Sequence, residues 1–143
     1  MKSLEKNEGF TLIELLIVMI ILGMLAALVG PSMFGKVGKS RQKAAKAQIS
    51  LFETALDTYR LDLGHYPETD QGLNALRLKP EDEGNWDGPY LPKDVPLDPW
   101  GKAYEYKSPG QYGDFEIISY GADGVQGGDD EDMDIMNWKS LGQ

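Results

Sequence analysis

The 143-residue chain predicts an α+β fold: a long N-terminal helix, first membrane-spanning and then amphipathic, packed on a small antiparallel β-sheet. Three observations predict it. A run of 21 residues, Phe10 to Gly30, carries one charge, Glu14. Apolar residues then recur at helical spacing from Ala45 to Leu63. The rest of the chain is divided by glycine and proline into short segments, two of which read as strands.

The apolar run comes first. At 1.5 Å rise per residue its 21 residues span about 31 Å, the thickness of a bilayer core. A cleaved secretory signal would have a shorter apolar core, although Ala26-Ala27 could mimic its cleavage site. A plain membrane anchor explains the length but not Glu14, because a charge at membrane depth is costly and marks a functional site by default. Gly23 and Pro31 bracket a weak piece of helix, since glycine lowers helix propensity and proline removes a backbone hydrogen bond.

In the second helical segment, Ala45, Ile49, Phe52, Leu56, Tyr59 and Leu63 follow spacings of four and three and make one apolar stripe. Gly64 offers a stop, with Pro67 beyond it. Together the two segments predict a helix of about 50 residues. Basic residues lie at its middle (Lys36, Lys39, Arg41, Lys43, Lys46), followed by Glu53 and Asp57. These charges suit a solvated face or subunit-to-subunit ion pairs.

Residues 64–100 predict a long ordered loop, in which Thr69 or Asp70 could cap a short helix ending at Leu76. Asp98-Pro99-Trp100-Gly101 is a turn signal. Ala103–Lys107 and Asp114–Tyr120 flank Ser108-Pro109-Gly110 and Gly113 and read as a hairpin. His65 reads as an ordinary loop residue.

Residues 120–134 hold Asp123, Asp129, Asp130, Glu131, Asp132 and Asp134 with no basic residue, among four glycines that let the backbone curl. These acids repel one another unless a cation or solvent relieves them. Calcium, which takes six to eight oxygen ligands, is the natural partner. The plainer alternative is a disordered acidic loop. The acidic spacing does not fit an EF-hand.

Composition excludes other classes. The formal net charge of −9 argues against nucleic acid as a partner. The absence of cysteine rules out disulfides, thiolate zinc sites and a cysteine nucleophile, and one histidine cannot form a histidine metal cluster. No nucleophile–base pair or phosphate loop is evident, so the chain is expected not to be an enzyme.

The leader ending in Gly9, followed by Phe10-Thr11-Leu12-Ile13-Glu14 and an unbroken apolar helix, resembles the class III signal of the type IV pilin and pseudopilin superfamily. Further along, Gly64-His65-Tyr66-Pro67, Gln71–Leu76, Asp98-Pro99-Trp100-Gly101 and Ser119–Gly124 resemble the major pseudopilins of bacterial type II secretion systems. The resemblance implies a pilin-like fold with four parts: leader 1–9, transmembrane and filament-core helix 10–30, amphipathic helix 31–64, and globular domain 65–143 containing a calcium loop at 120–134.

It also implies cleavage between Gly9 and Phe10 by a prepilin peptidase and N-methylation of Phe10. Glu14 would then pair with the Phe10 ammonium of a neighbouring subunit during assembly. In filaments of similar proteins the stretch between Gly23 and Pro31 loosens. The calcium ligands implied are the side chains of Asp123, Asp132 and Asp134 and the carbonyls of Tyr120 and Val125. Asp129 or Asp130 remains an alternative to Asp132. The ion would stabilise a region that many type IV pilins close with a disulfide.

The expected function is a structural subunit that polymerises into the periplasmic pseudopilus and drives folded proteins across the outer membrane. Its partners would be further copies of itself, minor pseudopilins, the prepilin peptidase and the inner-membrane secretion platform. The expected location is the inner membrane, with one span and a periplasmic C-terminal domain. The positive-inside rule points the other way, because the basic stretch 36–46 follows the span; the processing motif outweighs it. The alternatives are a type IV pilin for adhesion or DNA uptake and a membrane-anchored calcium-binding periplasmic protein.

Overall fold

A computed structural model of the chain describes residues 8–142. Most of the expected leader, residues 1–7, lies outside the described residues. The chain divides into two compact units, Met1–Val37 and Gly38–Gln143.

One helix, α1 (Leu12–Leu63, 52 residues), runs through the boundary, matching the expected length. Within the first unit every large apolar side chain from Leu12 to Val37 is at least 45% exposed. α1 is long and apolar enough there to cross a membrane. Residues 23–31 are helical in the single chain, and the helix continues through Pro31.

The second unit owes its core to the expected stripe. Ala45, Ile49, Phe52, Leu56 and Tyr59 are buried, joined by Ala55, while Leu63 packs at the edge. Gly64 ends the helix: its φ is 86°, a conformation that suits glycine, and its N–H donates to Arg60 O at 2.7 Å.

Three strands pack on this stripe: β1 (Glu105–Lys107), β2 (Glu116–Ser119) and β3 (Ile135–Met136). They form an antiparallel sheet in the order β1-β2-β3. Tyr106 faces Ile117, and Ser119 faces Ile135. The hairpin was expected, with strands slightly longer than found; β3 was not. All four residues of β2 are buried, which removes the alternation that marks a half-exposed strand. Glu116 tolerates burial because its carboxylate accepts the Gln111 and Tyr112 N–H groups at 2.7 and 3.1 Å.

Residues 64–100 are mainly loop, as expected, but the short helix there is a 3₁₀ turn, Leu73–Leu76. Neither Thr69 nor Asp70 caps it. The Thr69 hydroxyl is taken by Ser108 O at 3.0 Å, and Asp70 accepts the neighbouring Gln71 N–H. The aromatic side chains of this loop cover the helix stripe: Trp86 and Tyr90 meet edge to face at 5.6 Å, and Tyr90 meets Tyr59 at 5.5 Å.

Candidate functional site

Two regions hold the residues singled out above. The first is the start of α1. Gly9 and Phe10 precede the helix and are exposed, with Phe10 at 85%. Thr11 stands just before Leu12, the first helical residue. The Glu14 carboxylate turns back to it: Oε2 accepts the Thr11 N–H at 2.8 Å and the Thr11 hydroxyl at 2.9 Å. In return the Glu14 N–H donates to Thr11 Oγ1 at 3.3 Å.

This is a capping box, in which two otherwise unpaired backbone donors are satisfied reciprocally. The helix dipole adds to it, since a negative charge is favoured in the first turn. The expectation that an anchor has no use for a carboxylate is therefore corrected. Glu14 has a local role within one chain. The signal was readable, because Thr-x-x-Glu before an apolar run is the capping-box pattern.

The second region is the acidic loop. The backbone brings its two ends together: Ala122 N–H donates to Glu131 O at 2.9 Å. Gly121 and Gly128, at φ 65° and 98°, allow close approach to the far limb. A Cβ on Gly121 would lie 2.8 Å from Glu131 O, and one on Gly128 would lie 2.7 Å from Asp132 O. Asp123 Oδ1 accepts the Val125 N–H at 3.0 Å, a turn-forming bond. Asp134 Oδ2 accepts the Gly127 N–H at 2.9 Å.

The remaining Asp134 oxygen, Oδ1, is buried and has no hydrogen-bond partner. A buried acceptor left unsatisfied is costly, and a cation would relieve it. Asp132 and Asp134 are half-buried, while Asp123, Asp129 and Asp130 are exposed. A hollow of about 250 Å³ opens beside Gly127, Gly128, Asp129 and Asp134. Among the described residues, no three acidic, histidine or cysteine side chains converge closely enough to hold an ion alone. The orphaned Asp134 oxygen would suit a hard cation only where main-chain oxygens complete its ligand set, the part expected of the Tyr120 and Val125 carbonyls.

Asp98 is a key residue that the sequence reading treated only as part of a turn. It is 4% exposed. Its Oδ1 accepts the Trp100 and Lys102 N–H groups at 3.0 and 2.8 Å, and its Oδ2 accepts the Ser119 hydroxyl at 2.7 Å. It therefore ties the turn before β1 to the end of β2, where the acidic loop begins. An aspartate at the start of a turn is the available signal; its reach to Ser119 depends on tertiary structure.

Elsewhere some charged groups pair with one another. A hollow of about 770 Å³ is lined by Arg60, His65, Tyr66 and Asp114 among others. There Arg60 lies 3.4 Å from Asp114 and 5.1 Å over the Tyr66 ring, and His65 contacts Glu83 at 3.2 Å. His65 is thus a loop residue with a structural partner, as expected.

Comparison with known proteins adds to this geometry. Residues 32–138 match the family model "Type II secretion system (T2SS), protein G", and residues 5–30 match a prokaryotic N-terminal methylation motif. The chain is 46% identical over 137 residues to the type II secretion system core protein G of Pseudomonas aeruginosa, covering 94% of this chain and 96% of that one. It is 45% identical over 141 residues to the Vibrio cholerae protein of the same name, covering 96% of each. The crystal structure of the major pseudopilin from the type 2 secretion system of enterohaemorrhagic Escherichia coli aligns with a TM-score of 0.64 at 42% identity. That alignment covers 76% of this chain and 95% of the crystallised one.

Proposed function

Because the chain belongs to the type II secretion system protein G family, we propose a division of labour in which its first unit polymerises and its second presents a cation-stabilised domain. The protein is a structural pseudopilin, a subunit of the type II secretion pseudopilus, and not an enzyme. The observation that carries the division is the uncovered apolar helix. Large side chains from Leu12 to Val37 are open along its whole length, so lipid or other subunits must cover them.

The finer steps follow from the residues. A prepilin peptidase cleaves between Gly9 and Phe10, and the new Phe10 amine is methylated; the match to the methylation motif over residues 5–30 supports this. The Glu14 carboxylate, already anchored through Oε2, offers Oε1 to the Phe10 ammonium of an adjacent copy. A charge in an apolar core is tolerated when paired and costly when unpaired, so this pair sets subunit register. In the filament, the helix loosens between Gly23 and Pro31.

The subunit sits in the inner membrane by one span, with its second unit in the periplasm. It assembles with copies of itself, minor pseudopilins and the inner-membrane platform, and the growing filament drives folded proteins across the outer membrane. Calcium binds the loop through Asp123, Asp134 and Asp132, with Asp130 or Asp129 as substitutes for Asp132, and through the Tyr120 and Val125 carbonyls. The orphaned Asp134 oxygen supports this.

Deletion of the gene tests the assignment. Loss of type II substrate secretion, restored by the wild-type chain, is expected. Unchanged secretion with loss of adhesion or DNA uptake would favour the type IV pilin alternative.

A further inference from the structure

Two lysine ammoniums bracket the acidic loop. On the entry side, Lys102 Nζ donates to Ala122 O at 2.5 Å. On the exit side, Lys46 Nζ donates to the carbonyls of Met136, Asn137 and Lys139 at 2.5, 3.3 and 2.6 Å. Both lysines are half-buried. Room is made for Lys102. A Cβ on Gly124 would lie 2.7 Å from Lys102 Cε, so the lysine stem crosses where a side chain would be.

The helix around Lys46 supports the exit limb as well. The Gln42 side chain donates to Asp130 O, and Gly38 lets Glu131 lie close: a Cβ there would be 2.6 Å from Glu131 Cγ. Gly38, Gln42 and Lys46 are four residues apart and therefore share one face of α1.

The choice of acceptor is informative. A lysine that merely balanced the loop's charge would sit on its carboxylates. Among the described residues the ion pairs join Arg60 to Asp114, His65 to Glu83, Arg77 to Asp94 and Lys107 to Glu105, and neither bracket lysine takes part. Lys46 and Lys102 bind backbone oxygens on either side of the Asp123–Asp134 stretch instead. We infer that Lys46 and Lys102 are positioning residues that hold the backbone of the acidic loop in a calcium-competent form, rather than counter-charges to it. This rests on the calcium reading above.

The two roles differ in sign. Replacing a counter-charge by a neutral side chain removes repulsion toward Ca²⁺ and tightens binding. Replacing a positioning residue releases the backbone and weakens binding, because the loop must then be ordered when the ion binds. The test is calorimetric calcium titration of the full chain in detergent, for the parent, Lys46→Met, Lys102→Met and the exposed control Lys39→Met. Lys46→Arg, which keeps charge and donors, serves as the conservative variant.

The expected result is calcium binding weakened about 10-fold in Lys46→Met and Lys102→Met, the scale seen when groups that orient metal ligands are removed. Lys39→Met should bind as the parent does or slightly tighter, and Lys46→Arg should recover part of the loss. Should Lys46→Met fail to fold, Lys102→Met reads the same quantity from the other limb. Unchanged or tighter binding in the Met variants, with a calcium-binding parent, overturns this inference alone. A parent that binds no calcium overturns the calcium reading and the inference together.

Discussion

At the scale of the residue, Glu14 has a capping role seen in the single chain and an assembly role proposed for the filament, and one substitution can separate them. Its carboxylate caps α1 through Thr11, and in the assembly account it also pairs with a neighbour's Phe10 ammonium. Glutamine serves at the same position of a capping box but carries no charge. Glu14→Gln should therefore leave membrane insertion and helix content intact while impairing polymerisation as much as Glu14→Ala does. Membrane fractionation and a filament assay read both quantities. A Gln variant that polymerises normally would reduce Glu14 to a helix cap. Asp98 is the corresponding residue of the second unit, being buried with three hydrogen bonds. Asp98→Ala strands the Ser119 hydroxyl and two backbone donors and should cost about 3 kcal/mol in urea unfolding, since unsatisfied buried groups cost about 1–3 kcal/mol each and partly relax.

At the scale of the element, the α1 stripe was legible because a helix buried on one side repeats its apolar residues at fixed spacing. Phe52, 2% exposed and edge to face with Tyr104 at 5.2 Å, sits at its centre. Phe52→Ala should destabilise the unit by about 3–5 kcal/mol, measured by thermal or urea unfolding. β3 was not legible. Two residues, Ile135 and Met136, cannot show alternation, and Asn137 helps to secure their place by accepting the Ile117 N–H at 2.9 Å through its side chain. The core tyrosines give this unit an alkaline limit. Burial pushes the Tyr59 and Tyr106 phenols up to about 12 from their ordinary 10.0. An unfolded chain releases these protons near pH 10 and the folded chain only near pH 12. Their contribution is therefore whole below pH 10 and lost as pH rises through 12. Stability should fall across that window, and Tyr106→Phe should lessen the fall in a pH series of melting temperatures.

At the scale of the whole molecule, the N-terminal motif was the most legible part of the chain, because the methylation motif that residues 5–30 match is a local sequence pattern. The acidic loop was legible in composition but not in geometry. Its backbone is held by close approaches at Gly121 and Gly128 and by the two bracket lysines, and the lysines come from distant parts of the chain. Calcium bound only to the folded state adds stability in proportion to the logarithm of its concentration. Chelator should therefore lower the melting temperature by at least about 4 °C, the shift that roughly 1 kcal/mol produces in a domain of this size. An unchanged midpoint would remove calcium from the account.

The central claim is that the chain is a processed, polymerising pseudopilin rather than a tethered periplasmic protein. Mass spectrometry of the mature N-terminus from membranes tests it most directly. The account predicts a chain beginning at Phe10 and carrying one added methyl group on its amine. An intact Met1, or a terminus near Ala27, would contradict it.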